Sequence, residues 1–286
     1  MDLSPGTLLA VLAHPDDETF GMGGTLALYA GQGHAVYLVC ATRGEVGTVD
    51  SEFLRGGRSI AELREAELRC AAEHLGLKGV YFLDYRDSGM PGSPDNKHPD
   101  AQVAHPIDEV AGRIVKHIRV LKPDVVITFD PMGGYLHPDH IHVHQATVLA
   151  FEKAGDAAFH PEAGAPFTPK ALYYQVFQRR LFKLATRIMP AFGMNPRKFG
   201  RNKDIDLLAL TEYDFPTHAR IDIRAVLEAK EAATHCHASQ AGPMQMRGGG
   251  ILSLIMRGQA GNESYMRAYP PTNGNHHVAK DLFEGI

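Results

Sequence analysis

The chain has 286 residues, 44% of them hydrophobic and 22% charged, and a formal net charge of -4. That is enough to bury a full core in one α/β domain, and it excludes a disordered or fibrous chain. The signs are interspersed without a broad basic surface, which removes nucleic acid from the expected partners. No segment is apolar for about 18 residues, and Met1 to Val11 carries Asp2 and Pro5 without a basic n-region. A cytoplasmic chain with no membrane partner is therefore expected, with a homo-oligomer left open. The three cysteines are odd in number and far apart, as suits a reducing compartment. Cys40 ends an apolar run and Cys70 falls in a helical pattern, so both read as buried small hydrophobes.

In chain order, residues 7–13 form a short continuous apolar run that stops at a cluster of polar residues, as a buried parallel strand does. Residues 34–42, 79–84 and 124–130 repeat that pattern. Segments 24–32, 62–76 and 104–122 between them have helical spacing, with Gly76 placed to close one helix and Pro123 following another. Alternating strands and helices predict a Rossmann-like, doubly wound, mostly parallel sheet with helices on both faces. In such a sheet the first and fourth strands commonly lie side by side, and ligands bind where the winding reverses. Residues 171–177 predict a further strand, and 217–226 a short strand leading into a helix that runs to about His237. Segment 178–215, basic at first and holding Pro190 and Pro196, reads as an insertion or lid within a single domain. Residues 240–286 read as a substrate-loop and C-terminal region, with a flexible loop at Gly248 to Gly250.

The chemistry concentrates in two places. His14-Pro15-Asp16-Asp17-Glu18 follows the first strand, and the glycines from Gly21 to Gly24 are read as a sharp turn into the next helix. Tyr135-Leu136-His137-Pro138-Asp139-His140 follows the fourth strand. Alone, each motif is commonly a loop feature. At neighbouring strand ends they supply His14, Asp17 and His140 as three ligands for Zn2+, with Fe2+ as the alternative and a position left open for water. Asp16 then remains as general base toward that water, while His137 and Tyr135 are candidates to stabilise or protonate the reacting group. Asp139 is placed to orient His137. His142 and His144 read as ordinary helix residues, and His98 and His105 as solvated loop residues.

At these residues the sequence resembles the LmbE-like family of GlcNAc-type de-N-acetylases, through Ala13 to Glu18 and His137 to His140. Weaker motifs extend the resemblance: Thr42-Arg43-Gly44-Glu45, Arg64 with Glu67-Leu68, Asp87-Ser88-Gly89-Met90, and Lys230 with His237-Ala238-Ser239-Gln240. The resemblance implies the same zinc ligands, Asp16 as base, His137 beside the reacting group and Tyr135 as a mobile tyrosine. It also implies an arginine and an aspartate at the sugar rim, for which Arg64 and Asp87 are the nearest candidates; their plainer reading is a surface ion pair or a loop cap. Thr42 to Glu45 is expected to shape the pocket wall.

The expected activity is removal of the N-acetyl group from a small GlcNAc conjugate, such as the inositol or malate glycoside of mycothiol or bacillithiol biosynthesis. Deacetylation of free GlcNAc or chitooligosaccharides and amidase action on mycothiol S-conjugates are alternatives. A non-catalytic sugar-binding protein is a further one, disfavoured by intact Asp16 and His137. A nucleotide-binding oxidoreductase is disfavoured because Gly21 to Gly24 lacks the G-x-G-x-x-G spacing.

Overall fold

The computed structural model describes residues 5–177, 179–198, 203, 205–240, 261–272 and 277–286. Strand β1 (Thr7–Leu12) is apolar after Thr7 and almost wholly buried. It pairs in parallel with β2 (Ala35–Thr42) on one side and β4 (Val125–Phe129) on the other. Strand β3 (Gly79–Tyr85) continues the sheet beyond β2, and β5 (Ala171–Val176) beyond β4, both parallel. Two antiparallel strands, β7 (Asn262–Tyr269) and β6 (Ala219–Asp222), complete the order β3-β2-β1-β4-β5-β7-β6. The winding reverses between β1 and β4, so the two motif-bearing strand ends are neighbours, as the sequence predicts.

The helices fall into two mutually packed groups, as expected on the two faces of one sheet. One holds α1 (Asp17–Gly31), α2 (Ile60–Leu75) and α7 (Leu227–Cys236), and the other α3 (Ile107–Leu121) and α5 (Pro138–Lys153). Helix α2 starts in a reciprocal cap, in which the Ser59 side chain accepts from the Glu62 N–H and the Glu62 carboxylate from the Ser59 N–H. Gly76 ends it at φ 70°. A short kinked helix, α4 (Gly133–Leu136), precedes α5, and α6 (Arg179–Ile188) follows β5. No helix among the described residues is long and apolar enough to cross a membrane.

Three expectations need correction or stand apart. Gly21 to Gly24 do not form a turn, because α1 begins at Asp17 and runs through them. At Gly24 the missing side chain serves packing instead, since a Cβ there would lie 2.4 Å from Ile223 Cδ1. Cys70 is not a buried free thiol. It is bonded to Cys236 and joins α2 to α7, whereas Cys40 is the buried free cysteine. A disulfide is a feature of oxidising surroundings, so the cysteines do not support the reducing compartment that their count suggested. The loop expected at Gly248 to Gly250 lies outside the described residues.

Candidate metal centre and active site

The tight turn after β1 carries the first motif. Asp17 is the first residue of α1, and its Oδ2 accepts the His14 N–H at 2.8 Å, folding the turn back on itself. Asp16 sits between them at φ 118°, ψ -27°, a conformation that L-residues rarely adopt. Its N–H donates to Glu18 Oε2 at 2.9 Å. From the other strand end, His137 caps α5: its Nδ1 accepts the Asp139 N–H at 3.2 Å. His140 lies one turn on. A Cβ on Gly133 would stand 2.6 Å from the His140 Cβ, so the loop approaches α5 this closely only with glycine there.

His14, Asp17 and His140 converge. His14 Nδ1 and His140 Nε2 are 3.1 Å apart, and the Asp17 carboxylate lies 3.6 Å from the first and 3.3 Å from the second. Ligands about 2.0–2.1 Å from one tetrahedral ion lie about 3.3 Å from each other. The other nitrogen of each ring is already engaged: His14 Nε2 faces Asp139 Oδ2 at 3.1 Å, and His140 Nδ1 faces the Gly133 carbonyl at 3.1 Å. In the neutral rings, donation to those acceptors fixes each tautomer and leaves the converging nitrogens as lone pairs. This donor set fits a divalent ion. A ring nitrogen of His137 also lies within 4.8 Å of those of His14 and His140.

The electrostatics follow from burial. Burial pushes the Asp16 pKa up to about 7 against the pull of Arg64. Burial drives His140 down to about 4, and burial with the two neighbouring imidazoles drives His137 to about 2. Burial also opposes charge on His14, but Asp87, Asp139 and Asp17 carry its pKa well above the ordinary value. Neutral His137, with Nδ1 as acceptor, carries its proton on Nε2. Tyr135 packs its ring against His140 at 4.9 Å and His137 at 5.8 Å, and burial raises its phenol well above the usual range. With Phe177, Leu207, Leu210 and Phe215 among others, it also lines an apolar cavity of about 180 Å³, so part of the 178–215 segment stands beside the site.

Three expected positions are revised. Asp139 does not turn its carboxylate to His137. That group reaches His14 and accepts the Ser88 N–H at 2.9 Å, leaving only the Asp139 backbone for His137. Neither Arg64 nor Asp87 is at an open rim, since both are 4% exposed. Arg64 donates to the Pro15 carbonyl at 2.6 Å, the Gly44 carbonyl at 2.8 Å and Asp16 Oδ2 at 3.1 Å, which makes it a buried clamp on the motif turn. Gly44, at φ 64°, admits the guanidinium, whose Nη1 would lie 2.0 Å from a Cβ there. Asp87 accepts the Gly89 N–H at 2.8 Å and stands 3.5 Å from His14 Nε2. Sequence reasoning gave no role to Glu18, whose buried carboxylate meets His237 Nε2 at 2.6 Å. The signal was present in the motif from His237 to Gln240, but it lies more than two hundred residues away.

Residues 9–151 match the family model described as PIG-L: GlcNAc-PI de-N-acetylase. A 1D-myo-inositol 2-acetamido-2-deoxy-alpha-D-glucopyranoside deacetylase from Rhodococcus erythropolis is 39% identical, covering 84% of this chain and 83% of its own. Among solved structures, N,N'-diacetylchitobiose deacetylase from Pyrococcus horikoshii shares 23% identity at TM-score 0.61, covering 92% of this chain and 83% of that one. The 4-carboxy-2-hydroxymuconate hydratase GalB from Pseudomonas putida shares 20% at TM-score 0.62, covering 95% and 100%. One fold thus carries two chemistries, and the structural likeness speaks for the fold alone. The sequence match is what assigns kinship: the chain belongs to the GlcNAc-PI de-N-acetylase (PIG-L) family, the LmbE-like deacetylases.

Proposed function

We propose that this chain is a metal-dependent hydrolase that removes the N-acetyl group from a small GlcNAc conjugate, with GlcNAc-inositol as the first candidate. The observation that carries the reading is the meeting of His14 Nδ1, His140 Nε2 and Asp17, with both imidazole tautomers fixed from behind. The 39% identity to a GlcNAc-inositol deacetylase over most of both chains supports the substrate. His14, Asp17 and His140 would hold the ion, Zn2+ with Fe2+ as the alternative. When bound, it supplies a Lewis acid for the amide carbonyl and a water that is acidic near neutral pH.

The chain's own groups do the rest. Asp16, held by Arg64, takes the proton of the attacking water, and its raised pKa suits that exchange near neutrality. His137, neutral and protonated on Nε2, offers a hydrogen bond to the developing oxyanion, and the un-ionised Tyr135 phenol can offer a second. As the C–N bond breaks, Asp16 returns its proton to the departing amine, leaving acetate and the free amino sugar. Asp139 and Asp87 hold His14 in place. The apolar cavity beside Tyr135 favours one second reading, an amidase acting on a GlcNAc conjugate that carries an apolar group, such as a mycothiol S-conjugate.

A panel of GlcNAc-inositol, GlcNAc-malate, GlcNAc, diacetylchitobiose and a mycothiol S-conjugate, assayed for amine release, tests both readings. The protein is used as purified, after chelation, and after Zn2+ or Fe2+ is restored. Fastest release from GlcNAc-inositol, lost on chelation and regained with metal, is expected. Preference for the S-conjugate selects the second reading, and no amine from any compound by metal-filled protein sinks both.

A further inference from the structure

We propose that His237 is a positioning residue for this reaction: through Glu18 it holds the backbone of Asp16 in the conformation that aims the base. The inference rests on Asp16 being that base. His237 and Glu18 are both fully buried, and His237 Nε2 meets Glu18 Oε1 at 2.6 Å. The other oxygen of Glu18 accepts the Asp16 N–H at 2.9 Å. Asp16, at φ 118°, occupies a backbone conformation that persists only where its surroundings impose it. The Glu18 carboxylate is the side chain that grips its amide, and His237, together with the Thr19 hydroxyl that donates to the same oxygen, satisfies that carboxylate out of water. Burial opposes charge on His237, yet Glu18 raises its pKa above the ordinary value.

The placement of His237 is itself secured. It follows Cys236, whose disulfide ties the end of α7 to α2, and Ser239 just beyond donates through its N–H and Oγ to Glu67 of α2 at 2.8 and 2.7 Å. Helix α2 also sends Arg64 to the Asp16 carboxylate. Asp16 is thus gripped at its carboxylate by one arm and at its amide by another, and the second arm ends in a residue that touches no reacting atom. Only Nε2 of His237 is used, since Nδ1 has no hydrogen-bond partner among the described residues. A glutamine at 237 can place its amide nitrogen where Nε2 stands, whereas an asparagine places it near Nδ1 and falls short of Glu18.

The test compares His237→Gln and His237→Asn in metal-filled full-length protein. It uses steady-state kinetics with the substrate that the wild type turns over, metal content, and amide hydrogen exchange followed by mass spectrometry. His237→Asn is expected to lower kcat about tenfold or more, with KM and metal content within about twofold of wild type, and to speed exchange over residues 15–20. His237→Gln is expected to restore most of both. Wild-type kcat and exchange in the Asn variant, equal losses in both variants, or a change confined to KM or metal content would overturn the proposal. If His237→Asn does not fold, Glu18→Asp replaces it: the carboxylate and its charge remain, but the shorter arm cannot reach His237 and the Asp16 amide together. The same losses are expected there, and wild-type values overturn the proposal. Should the wild type itself release no amine, the functional reading fails while the exchange measurement still decides the clamp.

Discussion

Asp16 and Asp17 are adjacent and alike in chemistry, yet their surroundings pull them apart. The imidazoles of His140 and His14 overcome burial at Asp17 and hold its carboxyl well below the usual range, whereas burial at Asp16 outweighs Arg64 and leaves it at about 7. A carboxyl raised in the folded state above its ordinary value of 3.8 is a destabilising group once ionised. Its cost in the metal-free protein begins near pH 4, grows as pH rises and is complete above about 7. Asp16→Asn, which keeps an acceptor for Arg64, is therefore expected to make metal-free protein more stable than wild type at pH 8, on the order of a few kcal/mol, and about equal near pH 4. Denaturant unfolding at the two pH values measures this, and a variant no more stable at pH 8 would contradict it. The same substitution should cost about 10²–10⁴-fold in kcat while the metal is retained.

Helix α1 shows how closely the elements are fitted. Gly24 faces Ile223, and the buried Glu263 of β7 accepts the N–H groups of Gly24 and Thr25 at 3.0 and 2.7 Å while pairing with Lys230 of α7 at 2.7 Å. A Cβ at 24 would meet three atoms of Ile223 within 2.8 Å, and backbone dihedrals are not the obstacle. Gly24→Ala, a gain in helix propensity at an exposed site, should here cost about 1–3 kcal/mol by overpacking. Thermal or urea unfolding would show it, and an unchanged or raised midpoint would mean that the contact relaxes freely. The glycine run was visible in the sequence, but its meaning was not. Turn-forming and space-making glycines have the same local signature, and only the position of Ile223, two hundred residues away, tells them apart.

For the whole molecule, strand and helix periodicity was enough to predict the parallel core and the adjacency of β1 and β4, because a buried strand must be apolar along its length. The convergence of His14, Asp17 and His140 followed from that adjacency. Contacts set by depth and direction were not legible. Arg64 and Asp87 read as rim residues because the family resemblance implies an arginine and an aspartate facing sugar hydroxyls there and sequence carries no measure of depth, and Asp139 was assigned to His137 because sequence neighbours are easier to pair than His14 across the switch point. The Cys70–Cys236 bond was hidden for the same reason, its partners being 166 residues apart. Closing so long a loop should stabilise the fold by about 2–4 kcal/mol. Reductant is expected to lower the melting temperature of wild type but not of Cys70→Ser, and equal melting of all samples would show that the bond adds nothing.

The sheet order carries a consequence for biosynthesis. Because β7 lies between β5 and β6, a ribosome has to pass residue 269 before β5 can acquire its last neighbour. Until then the nascent chain presents an open row of backbone donors and acceptors, a template for strands of other molecules. Yield in a cell should therefore depend on how quickly the stretch through residue 269 is translated, and stalling before it would favour aggregates over folded product.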